Sequence, residues 1–375
     1  KISVRGSIEA QYNSRYSEEF FNTRELGLES NLEFPKFLLP FNTYGLLPKR
    51  MRPSSAIAYE AIWQERVEYS RILFNTRLSY NWWESSTKQH ILTLADWRYT
   101  NVLRIDDDFF DDLQFKNGFE SVVALGTKYT FRFNEQAQKA NRNFRTFTGN
   151  LESAGNAFGR LLEQPNSEGD DAGTVFGVRA TQYLRIDADF AYYWRLPLQQ
   201  SIVSRVYFGL LYAYGNGAFV LPFEKSFFGG GTNDNRAWPA YRLGPGGFRS
   251  GAGNVNIAPL KLMANVEYRF PIVKALKSAI FVDFGNIWII QPELPVYEAY
   301  RDLPETQFAF DTFYDQIAVG LGTGLRYDVG FFVIRLDAAW PIRFPYEPRG
   351  ASSQWFPRPL GWDELTYNIG IGYPF

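Results

Sequence analysis

The sequence predicts an all-β protein: a transmembrane antiparallel β-barrel of about 16 strands with a long loop folded into its lumen. Three observations carry that expectation. Segments of roughly ten residues alternate apolar with polar or charged side chains, the spacing of a strand with one apolar face. Aromatic residues make up 18% of the 375 residues, yet the net charge is only -1 and the mean hydropathy is slightly negative. A soluble domain gathers its aromatics into one core, whereas a membrane barrel carries them around its outside and keeps polar residues within. Finally, no apolar run reaches the roughly 18 residues that a membrane-spanning helix needs. The longest candidate, "SAIFVDFGNIWII", is interrupted by Asp283.

The clearest strand is the last, "LTYNIGIGYPF", expected over residues 365–375. Leu365, Tyr367, Ile369, Ile371, Tyr373 and Phe375 share one face, and Thr366, Asn368, Gly370 and Gly372 the other. At the other end of the chain, "KISVRGSIEAQY" sets Ile2, Val4, Ile8 and Tyr12 against Ser3, Arg5, Ser7, Glu9 and Gln11. In "LKLMANVEYRFP", Leu262, Ala264, Val266, Tyr268 and Phe270 oppose Lys261, Asn265, Glu267 and Arg269. In the interrupted run, Ile280, Val282, Phe284 and Trp288 oppose Ala279, Asp283 and Gly285, and in "FFVIRLDAAW" an apolar set opposes Arg335 and Asp337. Charges thus recur on the face that points inward. Further strands are expected near residues 25–34, 55–65, 70–83, 89–101, 119–132, 144–153, 175–187, 188–197 and 202–215, separated by connections rich in Gly, Pro and Asp. Trp82, Trp83, Trp97, Trp194, Trp288 and Trp340 are expected near strand ends, as interfacial girdles. The competing architecture is a soluble β-sandwich or jelly roll, which alternates in the same way but needs no aromatic belt.

Other chemistry finds little support. The chain has no cysteine, which excludes a disulfide scaffold or a thiolate metal site. Its balanced charge gives no nucleic-acid footprint. His90, the only histidine, lacks a nucleophile-elbow serine nearby and reads as a polar residue near a strand end. "RIDDDFFDDL" (104–113) lacks the spacing of an EF-hand loop and reads as a solvated loop, as does "GDDAG" (169–173), with calcium binding as the alternative. "GPGGFRSG" (244–251) reads as loop glycine, because it does not join a strand to a helix. No metal site, cofactor or enzymatic activity is expected.

One stretch stands apart. "GGGTNDNRAWPA" (229–240) carries a lone arginine, Arg236, in an irregular setting. Strand phase places Glu267 and Asp283 on inward faces, where an inward-folded loop would present Arg236 to both. An exposed loop arginine is the alternative that spacing alone leaves open.

These residues are similar to motifs of the outer-membrane assembly superfamily that includes BamA, TamA and the two-partner-secretion transporters. "FFGGGTNDNRAW" resembles that family's Gly-rich loop motif, and "FVDFG" (281–285) its F-x-D-x-G strand motif. The aromatic-ended last strand resembles the family's C-terminal assembly signal. "NRAW" followed by "YRLGPGG" looks most like the TamL-type branch, as do "FLLPF" and "NLESAGNAFGRLL" in the first half. Asn235 and Ala237 stand where the motif has a hydrophobic residue and a glycine. The resemblance implies a single outer-membrane barrel domain over residues 1–375, with a lumen loop at about 222–258. The family's periplasmic POTRA domains have no counterpart in this sequence, which begins at Lys1 with no initiator Met or signal peptide and reads as a mature or trimmed form.

By resemblance, Arg236, Glu267 and Asp283 are expected to clamp the loop, supported by Gly230, Gly231, Trp238, Phe281 and Gly285. The first and last strands are expected to meet at a weak seam that includes Tyr367, Ile369, Gly370, Ile371, Gly372, Tyr373 and Phe375. The implied function is insertion or export of β-barrel or envelope proteins through that seam, in the bacterial outer membrane. The implied partners are outer-membrane lipid and lipopolysaccharide, unfolded outer-membrane clients and periplasmic or inner-membrane accessory proteins. A passive diffusion channel, a dedicated secretion transporter and a scaffold subunit are the alternatives.

Overall fold

The computed structural model describes residues 2–9, 23–39, 48–66, 69–105, 120–139, 142–156, 173–175, 178–249, 255–273, 275–330, 332–348, 353–357 and 361–375. Among them the regular structure is β-strand, with only short 3-10 turns between strands. The acidic run at 106–112, most of "GDDAG" and parts of "FLLPF" and "NLESAGNAFGRLL" lie outside the described residues, as does Tyr12.

The strands, in chain order, are β1 (Ile2–Glu9), β2 (Thr23–Phe34), β3 (Ser54–Arg66), β4 (Tyr69–Trp83), β5 (Lys88–Ile105), β6 (Val122–Asn134), β7 (Phe144–Ala154), β8 (Thr174–Val175), β9 (Val178–Ala180), β10 (Tyr183–Arg195), β11 (Ser201–Ala213), β12 (Leu260–Val273), β13 (Leu276–Trp288), β14 (Ala318–Asp328), β15 (Val333–Arg343) and β16 (Thr366–Ile371). They belong to one 16-stranded sheet whose hydrogen-bonded order follows chain order from β1 to β16, with the short β8 and β9 off that path.

Two compact units partition these residues. The first comprises Lys1–Arg132, Asn150–Arg185 and Tyr212–Lys225. Its β1 to β5 form an antiparallel meander. The alternation of the sequence sets the two faces: Leu26, Leu28, Leu32, Ile57, Tyr59 and Trp63 are exposed on one, while Gln64 is buried on the other.

The second unit comprises Phe133–Gly149, Ile186–Leu211 and Ser226–Phe375. Here β11 to β16 pair in antiparallel succession. Val206, Val266, Ile280, Leu325, Ile334, Leu336, Tyr367, Ile369 and Ile371 make an exposed apolar face. Their neighbours Asn265, Glu267, Asp283, Arg326, Arg335, Asp337 and Asn368 are buried on the opposite face. Burying so many charges requires something to cover and pair them. The cover comes from residues 226–249 and 255–258, which bridge to one another through Phe227↔Ala258 and Gly229↔Leu243 and, through the turn around Arg236, lie against that charged face.

Three expectations need correction. The strands expected at 175–187 and 188–197 are instead the short β8 and β9 followed by one continuous strand, β10, because "YLRIDADFAYYWR" has no glycine or proline to break it and keeps its alternation through Asp187 and Asp189. Strand β14 adds to the expected set; three glycines in "AVGLGTGLRYD" blur its alternation in the sequence. The final strand ends at Ile371: Gly372 takes φ +86°, and beyond it Arg269 lies 4.5 Å from the Tyr373 ring centroid and 5.3 Å from that of Phe375. Two of the tryptophans are not at girdle positions either. Trp288 is fully buried, edge-on to Phe308 and Phe313 and donating to Gln316 Oε1 at 2.6 Å, because residues 289–317 fold over it. Trp97 stands mid-strand in β5, on the exposed face. Within the covering segment 289–317, burial pushes the phenols of Tyr297 and Tyr300 above their ordinary range.

Candidate functional site

The site is built on a turn with little regular structure. Gly231 N donates to Trp238 O (2.8 Å), Asp234 N to Gly231 O (3.1 Å) and Trp238 N to Asn235 O (3.2 Å), closing residues 231–238 into a compact knot. Glycine is required at its base: Gly230 has φ +90°, and a Cβ there would lie 2.2 Å from Pro239 O. The knot presents Arg236 to the covered faces of β12 and β13.

Arg236 is fully buried and its donors are closely matched. Nε and Nη2 grip the two oxygens of Asp283 at 2.8 and 2.9 Å, a fork-on-fork pairing. The Arg236 backbone N–H also donates to Asp283 Oδ2 (3.0 Å), and Nη1 donates to Glu267 Oε2 (2.6 Å). The guanidinium carbon sits 3.3 Å from the ring centroid of Phe281, so the cation also stacks on an aromatic face. Asn265 Nδ2 links the wall to the knot, donating to Asp283 Oδ1 (2.8 Å) and to Asp234 O (3.1 Å). Asp234 in turn pairs with Lys261.

The pairing extends beyond the three residues read from the sequence. Glu267 Oε1 accepts from Arg269 Nε (2.8 Å) and Arg326 Nη2 (3.4 Å). Arg326 Nη1 donates to Asp337 Oδ1 (2.5 Å), and Asp337 Oδ2 stands 3.7 Å from Arg236 Nη1 and 3.6 Å from Arg335 Nε. Four arginines therefore share three carboxylates in a buried network. Arg335 adds bonds to Thr232 O (3.0 Å) and Asn233 Oδ1 (2.8 Å). Strand phase had set Arg335 and Asp337 on the inward face, and that phase was the available signal. Arg326 lies on β14, whose glycine-diluted alternation carries no sequence signal of its face.

The knot is also fastened to the last strand. Asn368 Nδ2 donates to Arg236 O and Thr366 Oγ1 to Ala237 O, each at 2.9 Å. Gly370 follows on the same face, where a Cβ would lie 2.6 Å from Arg335 Nη2. Its glycine thus makes room for a guanidinium. Gly285 has φ +151°, and a Cβ there would lie 2.5 Å from Leu262 O. Trp238 packs with Ala237, Leu243, Phe281, Ala318 and Ala339, edge-on to Phe344.

Among the seam residues, Tyr367, Ile369 and Ile371 are exposed on the apolar face. Tyr373 and Phe375 leave it, as described above. His90 stacks on Trp82 at 5.0 Å, with Nδ1 2.7 Å from the Tyr129 hydroxyl and Nε2 3.2 Å from Glu84. Lys88 and His90 hold the Glu84 carboxyl below its ordinary range. In "GPGG", Gly246 N donates to Ile287 O and Gly247 N to Glu305 O. Among the described residues, no group of three His, Cys, Asp or Glu side chains could hold a metal ion.

Comparison with known protein families matches the whole chain, residues 1–375, to the Omp85 superfamily domain. The chain belongs to the Omp85 superfamily. Comparison with solved structures finds the same fold in BamA from Haemophilus ducreyi lacking POTRA domains 1–3, with a TM-score of 0.56, 13% identity, and coverage of 86% of this chain and 59% of that one. CdiB from Escherichia coli (TM-score 0.49, 11% identity, 96% of this chain and 54% of that one) and CdiB from Acinetobacter baumannii (0.40, 9%, 99% and 65%) also match. The chain thus spans between half and two thirds of the length of these structures. A search of curated proteins found no match. Membership of the Omp85 superfamily makes the fold that of a membrane-spanning β-barrel, which identifies the exposed apolar face as the lipid face and the charged, loop-covered face as the lumen face.

Proposed function

We propose that this Omp85 barrel inserts or exports β-barrel or envelope proteins through a lateral gate between β1 and β16, with Arg236, Glu267 and Asp283 clamping the lumen loop. The observation that carries this reading is the bonding of one arginine turn both to the buried carboxylates of β12 and β13 and, through Asn368 and Thr366, to the last strand. A loop attached to β16 is placed to sense or restrain movement of that strand. An incoming client strand would pair with the free edge of an opened seam, the same physics as adding a strand to any exposed sheet edge. Lipid and lipopolysaccharide surround the apolar face, and the clients are unfolded outer-membrane proteins delivered with periplasmic or inner-membrane accessory proteins. The protein makes or breaks no covalent bond and uses no cofactor.

Disulfides between β1 and β16 test this directly. The chain contains no cysteine, so pairs placed along Ile2–Glu9 and Thr366–Ile371 would be the only thiols. Locking the seam should stall client assembly and reduction should restore it. Unchanged assembly after complete cross-linking, together with a large steady conductance, would replace the gate by a passive pore.

A further inference from the structure

The stem of the lumen loop, residues 214–225, lies in the first unit and has fastenings of its own. Tyr214 N donates to Gln182 O (3.2 Å), Asn216 N to Gln182 Oε1 (3.1 Å), and Thr181 Oγ1 to Val220 O (2.7 Å). At the end of the stem two adjacent residues of opposite charge each meet a partner on a strand. Glu224 pairs with Arg71 of β4, and Lys225 pairs with Glu152 of β7. Lys225 and Glu152 are each only 4% exposed. Tyr183 donates its hydroxyl to Glu152 Oε1 at 2.8 Å, and Arg98 stands 3.9 Å from the same oxygen while pairing with Asp96 at 2.5 Å.

Packing and charge both hold this stem: Val220 and Leu221 are fully buried, and at its end two pairs of opposite charges set the register. A cavity of about 170 Å³ lies beside Glu224 and Lys225, lined also by Leu73, Phe74, Pro222 and Tyr183. A slip of one residue would set Glu224 against Glu152, and like charges at close range oppose each other. The order Glu-Lys therefore specifies the register. A loop lysine gives up its hydration only where a carboxylate replaces it.

We propose that Lys225 is a second positioning residue for the lumen loop, fastening its stem through Glu152 separately from the Arg236 network. This concerns loop placement and stands whether or not the seam opens. The test is chymotrypsin cleavage within residues 226–258 of the folded, membrane-inserted barrel. Lys225→Met and Glu152→Gln should each raise the cleavage rate at least about tenfold, because each takes from a buried charge its nearest opposite charge. Lys225→Arg, which keeps the charge, should stay near the parent rate. The Lys225→Met/Glu152→Gln double variant should cleave no faster than the faster single, the signature of one shared interaction. Parent-like cleavage in both singles, or a double variant whose effect is the product of the two, overturns the proposal. If Lys225→Met does not fold, Glu152→Gln decides by the same criterion.

Discussion

Within the buried network the carboxylates are unequal. Asp283 accepts three bonds from Arg236 and one from Asn265, whereas Glu267 accepts one from Arg236 and keeps Arg269 and Arg326 as further partners. Removing one partner of a buried pair costs about 3–5 kcal/mol because the other charge is left uncompensated. Asp283→Ala should therefore lower the unfolding temperature of the barrel, read from its heat-dependent gel mobility, as far as Arg236→Ala does. Glu267→Gln, which retains an acceptor oxygen for Arg236, should fall clearly short of both. An equal loss in all three would mean that the network responds only as a block. Phe281→Leu removes the stacked ring but no hydrogen bond, and should cost about 1 kcal/mol beyond its lost area.

At the scale of the element, β14 decides whether the loop fits. Its lumen face is a row of Gly320, Gly322 and Gly324, where added Cβ atoms would lie 2.6 Å from Asn235 Oδ1, 2.3 Å from the Phe281 ring and 2.0 Å from Asp337 Oδ1. Glycine weakens a strand, but here it supplies the depth that Asn235, Phe281 and the Asp337–Arg326 pair occupy. Gly322→Val should block assembly into the heat-resistant form, since both the ring and the backbone carbonyl of Ala338 stand in the way. Thr323→Val, on the opposite face of the same strand, should assemble normally and serves as the comparison. Normal assembly of both variants would show that the loop repacks around the added methyls.

At the scale of the whole molecule, the gate reading predicts a hierarchy of function over stability. Asn368→Ala and Thr366→Val remove the bonds between the loop and β16 while leaving Arg236 paired to its carboxylates. Client assembly in proteoliposomes should change several-fold in the double variant, while its unfolding temperature shifts by only the few degrees that neutral hydrogen bonds of about 1 kcal/mol each imply. A double variant with parent-like assembly rates would detach the loop from the control of β16.

What was legible in the sequence was whatever the period of two encodes. The lipid-facing row Val266, Ile280, Ile334, Leu336 and Tyr367, and the lumen placement of Glu267, Asp283, Arg335 and Asp337, follow from alternation alone, because successive side chains of a strand point to opposite faces. The arginine and aspartate motifs added the expectation that Arg236 turns inward. Alternation could not identify β14, where glycine replaces the polar half of the pattern, or the turn of the chain at Gly372, where one left-handed residue takes Tyr373 and Phe375 off the lipid face. Nor could it match a loop to a wall. That Lys225 meets Glu152, that Asn368 holds the backbone of Arg236, and that Gly370 leaves space for Arg335 depend on residues up to 132 positions apart in the chain. Sequence by itself determined which face each strand turns to water or lipid, since that is a local property of the backbone. Only the tertiary structure decided which buried charges neutralise one another, because the pairing of an irregular loop with distant strands is set by shape and Coulomb attraction, which no local repeat records.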